Sequence, residues 1–292
     1  MGELLRINEK IRPFNKKISI EGDKSLSIRW ALLASQATGK SRAYKILKSD
    51  DVLSTLNCLK KLGISVKFKN NYCEIVGKGL NGYSYKKNLT LNAGNSGTLS
   101  RLILGLLVHS KKKIRLIGDR SLSKRDFSRV IKPLENFGAK FYSSKKNKLP
   151  LSIMGSETTK PINYIENKGS AQCKSSVMLA ALNTLGTTFI KAKKSRNHSE
   201  LLFQHLKIPI SIKKTKKFDY IKIKGGRKIP SFNYSIPADI SSSAFFIVLT
   251  TLSDNSKLLI KDVNINPSRT GILKILKKMG IKIILKNKKN YK

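Results

Sequence analysis

The sequence predicts an α/β fold made by repeating one βαβαββ unit, and three observations carry that expectation. First, four openers rich in Ser, Thr, Asn, Asp or Gly each lead into a compact apolar helix. They are DKSLSIRWALLAS from Asp23, GNSGTLSRLILGLLV from Gly94, GSAQCKSSVMLAAL from Gly169 and ADISSSAFFIVLTTL from Ala238. Second, their reference residues Ser25, Asn95, Ser170 and Asp239 recur roughly every 70 positions, a period too long for a solenoid. Third, Gly63, Gly138 and Gly280 each close an amphipathic second helix, and Lys207-Ile208-Pro209 stands at that point of the third unit. A returning strand follows in each unit, over 64–69, 139–143, 209–213 and 281–286.

The order of elements fixes the layers. In every unit the first helix is apolar almost all round and belongs in a core, and the second carries a polar face and covers it. Three units around one bundle of buried helices make a domain over 21–239. The fourth unit begins a second domain, formed by 1–20 with 240–292, and the polar, proline-containing stretch Pro237 to Ser243 marks the crossing.

Length and composition agree, since 292 residues suit about two domains and 40% apolar side chains suffice for cores. No apolar run approaches the roughly 18 residues of a membrane span. Cys58, Cys73 and Cys173 are scattered and form no CxxC pair, so the expectation is a soluble, cytoplasmic protein without disulfides or a zinc site. The 59 Lys and Arg against 17 Asp and Glu give +42, a charge that suits nucleic acid. Lysines are nevertheless spread along the chain, with no basic stretch interleaved with rings, so no nucleic-acid partner is expected. A positive field still draws small anions.

The openers read as anion sites. A helix start presents unpaired N–H groups and partial positive charge, and small residues let an anion approach them. N-capping alone explains any single opener. Lys24, Arg29, Arg101, Arg125 and Arg196 travel beside them, and planar guanidinium forks match carboxylate and phosphate. Gly94–Thr98 lacks P-loop spacing, and no GxGxxG, HExxH or GxSxG is present. His109, His198 and His205 are expected at the surface, and Asp50, Asp51 and Asp239 as orienting or capping groups.

At these residues the chain resembles the 3-phosphoshikimate 1-carboxyvinyltransferase (5-enolpyruvylshikimate-3-phosphate synthase) family of enolpyruvyl transferases. The motifs are Gly22–Ser27 with Arg29, Ser49–Val52, Gly94–Thr98 with Arg101, Ser121–Arg125, Ser170-Ala171-Gln172 with Lys174-Ser175, Ser195–His198, Asp239–Ala244 and Asn266–Gly271. They run collinearly from one end to the other. Glu21 and Ile28 depart from the family's usual proline and histidine.

The resemblance implies an inside-out α/β barrel of two domains built from six repeats. It implies transfer of the enolpyruvyl group of phosphoenolpyruvate to the 5-hydroxyl of shikimate 3-phosphate, releasing phosphate on the way to chorismate and the aromatic amino acids. No metal or cofactor is implied, and a monomer is expected. Lys24, Ser25, Arg29, Ser170, Ala171, Gln172, Ser195 and Arg196 would hold shikimate 3-phosphate. Lys24, Gly97 and Arg125 would meet phosphoenolpyruvate, with Asn95, Thr98 and Arg101 shaping that loop, where the competitive inhibitor glyphosate also binds. The family's acid and base carboxylates lie in repeats beyond Lys292, so the expectation is one complete domain, an incomplete second domain with exposed apolar surface, and a chain that binds better than it catalyses. Alternatives are a catalytically dead shikimate 3-phosphate-binding fragment and an RNA 3′-phosphate cyclase-like protein. The sister transferase acting on UDP-N-acetylglucosamine commonly carries a cysteine in a loop that here, over 118–130, has none.

Overall fold

The computed structural model describes residues 11–287, which divide into two compact units, 24–236 and 11–23 with 237–287. Strand β1 (Asn15–Ser19) belongs to the smaller unit. The larger unit opens with α1 (Lys24–Gln36), β2 (Ala37–Tyr44), α2 (Asp50–Lys61), β3 (Ser65–Phe68) and β4 (Tyr72–Lys78). Its second repeat is β5 (Leu89–Asn92), α3 (Gly97–Leu106), β6 (Ile114–Ile117), the single turn α4 (Arg120–Ser123), α5 (Ser128–Asn136), β7 (Lys140–Ser143) and β8 (Leu151–Met154). The third is β9 (Asn163–Glu166), α6 (Ala171–Asn183), β10 (Thr187–Lys193), α7 (His198–His205), β11 (Ile210–Lys214) and β12 (Phe218–Lys224). Two short strands, β13 (Ile229–Pro230) and β14 (Asn233–Ser235), end the unit. The smaller unit continues with α8 (Ile240–Thr251), β15 (Lys257–Lys261) and α9 (Gly271–Lys278).

One rule builds all three sheets of the larger unit. The strand before a buried helix pairs parallel with the strand after it, the crossover that parallel pairing demands. The unit's last two strands then extend the sheet antiparallel, giving β5-β6-β8-β7 and β9-β10-β12-β11. In the first repeat the leading strand comes from the far end, where β13 and β14 lie parallel to β2. The larger unit thereby closes on itself.

Helices lie inside and sheets outside. Every residue of α1 from Leu26 onward, and every residue of α6 from Cys173 onward, is buried. The buried helices touch backbone to backbone: a Cβ at Gly105 of α3 would stand 2.1 Å from the Ser176 carbonyl oxygen of α6, so only glycine fits. Their polar groups pair with one another, Ser176 Oγ donating to the Arg101 carbonyl at 2.8 Å and Asn183 Nδ2 to Gln36 Oε1 at 3.1 Å. The second helices end in the left-handed conformation at Gly63, Gly138 and Gly280, and Lys207 adopts it at φ 52° in the third repeat.

In the smaller unit β1 pairs parallel with β15. Residues 281–286 form no strand, which corrects the expected return strand: the described part of this unit holds only that two-stranded ladder. Helix α8 buries only Ile240 and Ser243 and exposes Phe245, Phe246, Val248 and Leu249, so the expected apolar surface is present on this helix. No described helix is long and apolar enough to cross a membrane.

All three cysteines are buried, unbridged thiols. Burial pushes Cys58 up to about 11 and Cys73 up to about 12. Both raised values stabilise the fold below the usual thiol value of 9.0, and that contribution is lost as pH rises from there through 11 and 12, because the unfolded chain ionises first. At pH 8.5 iodoacetamide should therefore leave Cys58 and Cys73 unmodified in the folded protein and label both in urea. Rapid labelling of either without denaturant would contradict this burial.

Candidate anion-binding site

The starts of α1, α3 and α6 carry most of the predicted residues of the larger unit, while Arg125 follows α4 and Ser195 and Arg196 precede α7. Ser96 and Ser170 cap α3 and α6, their hydroxyls accepting from Leu99 N and Cys173 N at 3.2 Å each. Capping holds those hydroxyls to the backbone, and the remaining first-turn N–H groups give each start its positive end.

The first cluster is built around Arg29, a buried guanidinium on α1. Its Nε donates to Ser199 Oγ at 2.9 Å, Nη1 to the Ser25 carbonyl at 3.0 Å and Nη2 to Ser175 Oγ at 3.3 Å. Ser199 Oγ donates on to Ser175 Oγ at 2.7 Å. Three helices, α1, α6 and α7, thus fix one fork. Beside it Lys174 and Glu200 form an ion pair at 2.5 Å with both side chains buried, bridging α6 to α7. Lys24 pairs with Asp51 in the first turn of α2 at 2.9 Å, so Asp51 serves as its counter-ion.

The second cluster surrounds Gly97 at the start of α3. A Cβ there would lie 2.7 Å from Arg125 Nη1 and 3.0 Å from Arg101 Nη1, so both guanidinium tips rest over a residue that must be small. Arg101 donates to the Gly97 carbonyl at 3.1 Å and to Gln172 Oε1 at 3.2 Å, and stacks over Phe127. Gln172 Nε2 donates to Thr98 Oγ1 at 3.1 Å. Burial lowers the pKa of Arg101, and Arg125 and Arg129 act in the same direction, so this group of like charges favours an incoming anion. Asn95 hydrogen-bonds Asp119, whose carboxylate caps α4 through Leu122 N and is held below the usual range by these two bonds.

Gln172 and Ser175 stand three residues apart on α6, on one face. That helix therefore ties the Arg29 cluster to the Gly97 cluster. Ala171 begins α6 behind the Ser170 cap and is half-buried. Ser195 and Arg196 precede α7 in the loop after β10, with Arg196 exposed. His198 is buried at the head of α7, which corrects its expected place at the surface. Asp239 caps α8 and belongs to a separate knot in the smaller unit. There Arg269 bridges Asp23, 3.6 Å away, and Asp239, 3.2 Å away.

Sequence reasoning missed Ser199, Glu200, Arg129 and Glu166. Glu166 is buried and anchors the α6 start, accepting from Ser170 N at 2.7 Å and pairing with Arg129 at 2.6 Å. The signal for Glu200 was Lys174, a lone charge inside a helix buried on all sides, which requires a partner.

Comparison with known proteins accords with this geometry. The profile of the EPSP synthase (3-phosphoshikimate 1-carboxyvinyltransferase) family matches residues 8–291. A 3-phosphoshikimate 1-carboxyvinyltransferase of Thermoanaerobacter sp. strain X514 is 41% identical over 273 residues, covering 93% of this chain and 63% of the relative. One of Streptococcus pyogenes serotype M49 is 36% identical over 282 residues, covering 96% of this chain and 65% of the relative. The chain thus spans less than two thirds of the length of these curated relatives. An EPSP synthase structure from Acinetobacter baumannii superposes with a TM-score of 0.83 at 35% identity, over 92% of this chain and 60% of that one. Its fold is the inside-out α/β arrangement, matching the helices-inside, sheets-outside layering of the larger unit. With helix starts, arginines and topology all in agreement, the chain belongs to the EPSP synthase (3-phosphoshikimate 1-carboxyvinyltransferase) family.

Proposed function

We propose that this chain binds shikimate 3-phosphate and phosphoenolpyruvate and serves the transfer of the enolpyruvyl group to the 5-hydroxyl of shikimate 3-phosphate, with release of phosphate. The observation that carries the reading is the buried Arg29 fork held by Ser25, Ser175 and Ser199, a pre-oriented group for a phosphorylated carboxylate. In this reading Lys24, Ser25, Arg29, Ser170, Ala171, Gln172, Ser195 and Arg196 hold shikimate 3-phosphate within the domain 21–239. Gly97, Arg125 and Lys24 receive phosphoenolpyruvate, and Asn95, Thr98 and Arg101 shape its loop. Both substrates are anions, so binding is charge neutralisation by preset guanidinium groups and helix starts. Buried free thiols fit a reducing, cytoplasmic setting, and the chain acts as a monomer without a cofactor.

A second reading, binding without turnover, is favoured by the carboxylates. Near the two clusters Asp51 is paired with Lys24, Asp119 with Asn95, Asp126 with Ser128 and Glu166 with Arg129 and the α6 start. General acid–base catalysis, about 10²–10⁴-fold, needs a positioned group able to exchange a proton. Calorimetry with shikimate 3-phosphate beside a phosphate-release assay separates the readings. Binding with turnover means a transferase, binding alone a substrate-holding half, and no binding rejects both.

Gly97→Ala tests the second anion. Its methyl would press on the flexible tips of Arg125 and Arg101, so the fold should tolerate it. Phosphoenolpyruvate affinity should drop about tenfold, roughly 1.4 kcal/mol, with shikimate 3-phosphate binding unchanged. Equal losses for both ligands would remove Gly97 from this role.

A further inference from the structure

The outer face of the sheet β9-β10-β12-β11 stands apart from the anion clusters in its chemistry. Alternation along β10 puts Thr187, Phe189, Lys191 and Lys193 outward, and along β12 it puts Phe218, Tyr220, Lys222 and Lys224 outward. Antiparallel register sets Phe189 opposite Lys222, Lys191 opposite Tyr220 and Lys193 opposite Phe218. The result is a row of three cross-strand pairs, each a ring facing an ammonium group, on the two central strands. Lys213 on β11 extends it, opposite Tyr220. Both acids of these strands, Glu166 and Asp219, point inward and are buried. Along each central strand the outward rings precede the outward lysines, so the sequence shows no interleaving; the register alone sets rings against lysines across the two strands.

Phe189 and Tyr220 are 48% and 42% exposed, and Ile165 beside them 64%. A groove of about 380 Å³ crosses this face, bounded by Asn163, Ile165, Phe189, Lys191, Tyr220 and Lys222. Lys191 lies 4.9 Å from the Phe218 ring centre and Lys222 5.6 Å from that of Phe189. Such pairs stabilise a sheet by themselves. The other two sheets of the unit differ. On one, Arg42 over Tyr72 is neutralised by Glu74 at 3.0 Å, and the second ring–cation pair, Lys48 at 5.5 Å from the Phe68 ring centre, lies at the edge strand β3. On the other, Lys113 meets the single ring of Tyr142.

We propose that this face binds single-stranded nucleic acid, with bases stacking on Phe189 and Tyr220 and phosphates meeting Lys191, Lys213 and Lys222. Outward residues stand about 7 Å apart along a strand and about 5 Å across, so successive splayed bases each meet a ring. A base arriving over a ring displaces an ammonium group toward the adjoining phosphate. Charge alone would equally receive an acidic peptide or polyphosphate; the rings select a ligand with flat faces. The site is independent of the substrate clusters, and its test needs no enzymatic activity.

Fluorescence anisotropy of the full chain with labelled dT12, and with an abasic strand of equal length, tests the proposal between 50 and 200 mM salt. The expected result is dT12 binding at least about tenfold tighter than the abasic strand. Phe189→Ala with Tyr220→Ala should weaken dT12 about tenfold or more and leave the abasic strand unaffected. Lys191→Ser with Lys222→Ser should lower the slope of log affinity against log salt by roughly two. Lys40→Ser with Lys67→Ser, exposed lysines of another sheet, should leave that slope near its parent value. If the ring variant melts early, Phe189→Leu with Tyr220→Leu replaces it and must show the same selective loss. Equal binding of both strands, equal slopes for the two lysine pairs, or unchanged dT12 binding by a folded ring variant overturns the proposal in favour of diffuse polycation attraction.

Discussion

Replacing Lys174 with methionine is expected to cost the larger unit about 3–5 kcal/mol, enough to unfold a marginal domain. Lys174 and Glu200 are both fully out of water, with Nζ 2.5 Å from Oε1. Removing the ammonium leaves a carboxylate in the interior with no compensating charge, and that desolvation, rather than the lost attraction, dominates the cost. The double replacement Lys174→Met with Glu200→Leu removes both charges and should recover most of the loss. Its effect on ligand binding is separate. The pair joins α6 to α7 next to Ser175 and Ser199, the two hydroxyls that fix Arg29. A restored melting curve with weakened shikimate 3-phosphate binding would identify the pair as a positioning device. Urea melts decide the first point: a single variant within about 1 kcal/mol of the parent protein contradicts the burial of this pair.

The parts of this structure legible in the sequence are those written in local patterns. Helices α1, α3 and α6 are buried on all sides and were readable as apolar runs behind small polar openers, because such a helix has nowhere to go but a core. The turn glycines at 63, 138 and 280 were readable because a left-handed helix stop favours them; Lys207 does the same work without that signature. What escaped depends on partners distant in sequence. The pairing of β2 with β14 sets Arg42 against Asn233, and beside it Phe232 N donates to Ser41 Oγ, 191 positions away; no local pattern announces it. Residues 281–286 carry strand-like alternation yet form none, since a ladder needs a neighbour as well as a propensity. In the candidate site the openers and arginines were visible, while no local pattern singled out Ser199 or Glu166. Their roles exist only where α7 meets α1 and α6, and where the end of β9 meets Arg129. The ring–lysine pairing between β10 and β12 likewise depends on register, which sets rings from one strand against lysines from the next.

Arg29→Lys should weaken shikimate 3-phosphate binding about 100-fold, close to 2.7 kcal/mol, although the charge is kept. The reason is geometric. Arg29 is fixed by three donors on three different nitrogens, received by Ser199, the Ser25 carbonyl and Ser175. An ammonium on a flexible stem offers three rotatable donors from one point and cannot span acceptors arranged around a planar fork. It would either sit among the hydroxyls and withdraw from the ligand, or reach the ligand and leave Ser175 and Ser199 to pair only with each other. Either outcome forfeits the preset orientation that makes this group useful. Phosphoenolpyruvate binding, which this reading assigns to Gly97 and Arg125, should change by less than about threefold, so the two ligands provide an internal control. If the lysine variant held shikimate 3-phosphate as the parent does, simple positive charge would suffice there, and the hydroxyl-fixed guanidinium would be a packing element instead of the binding group.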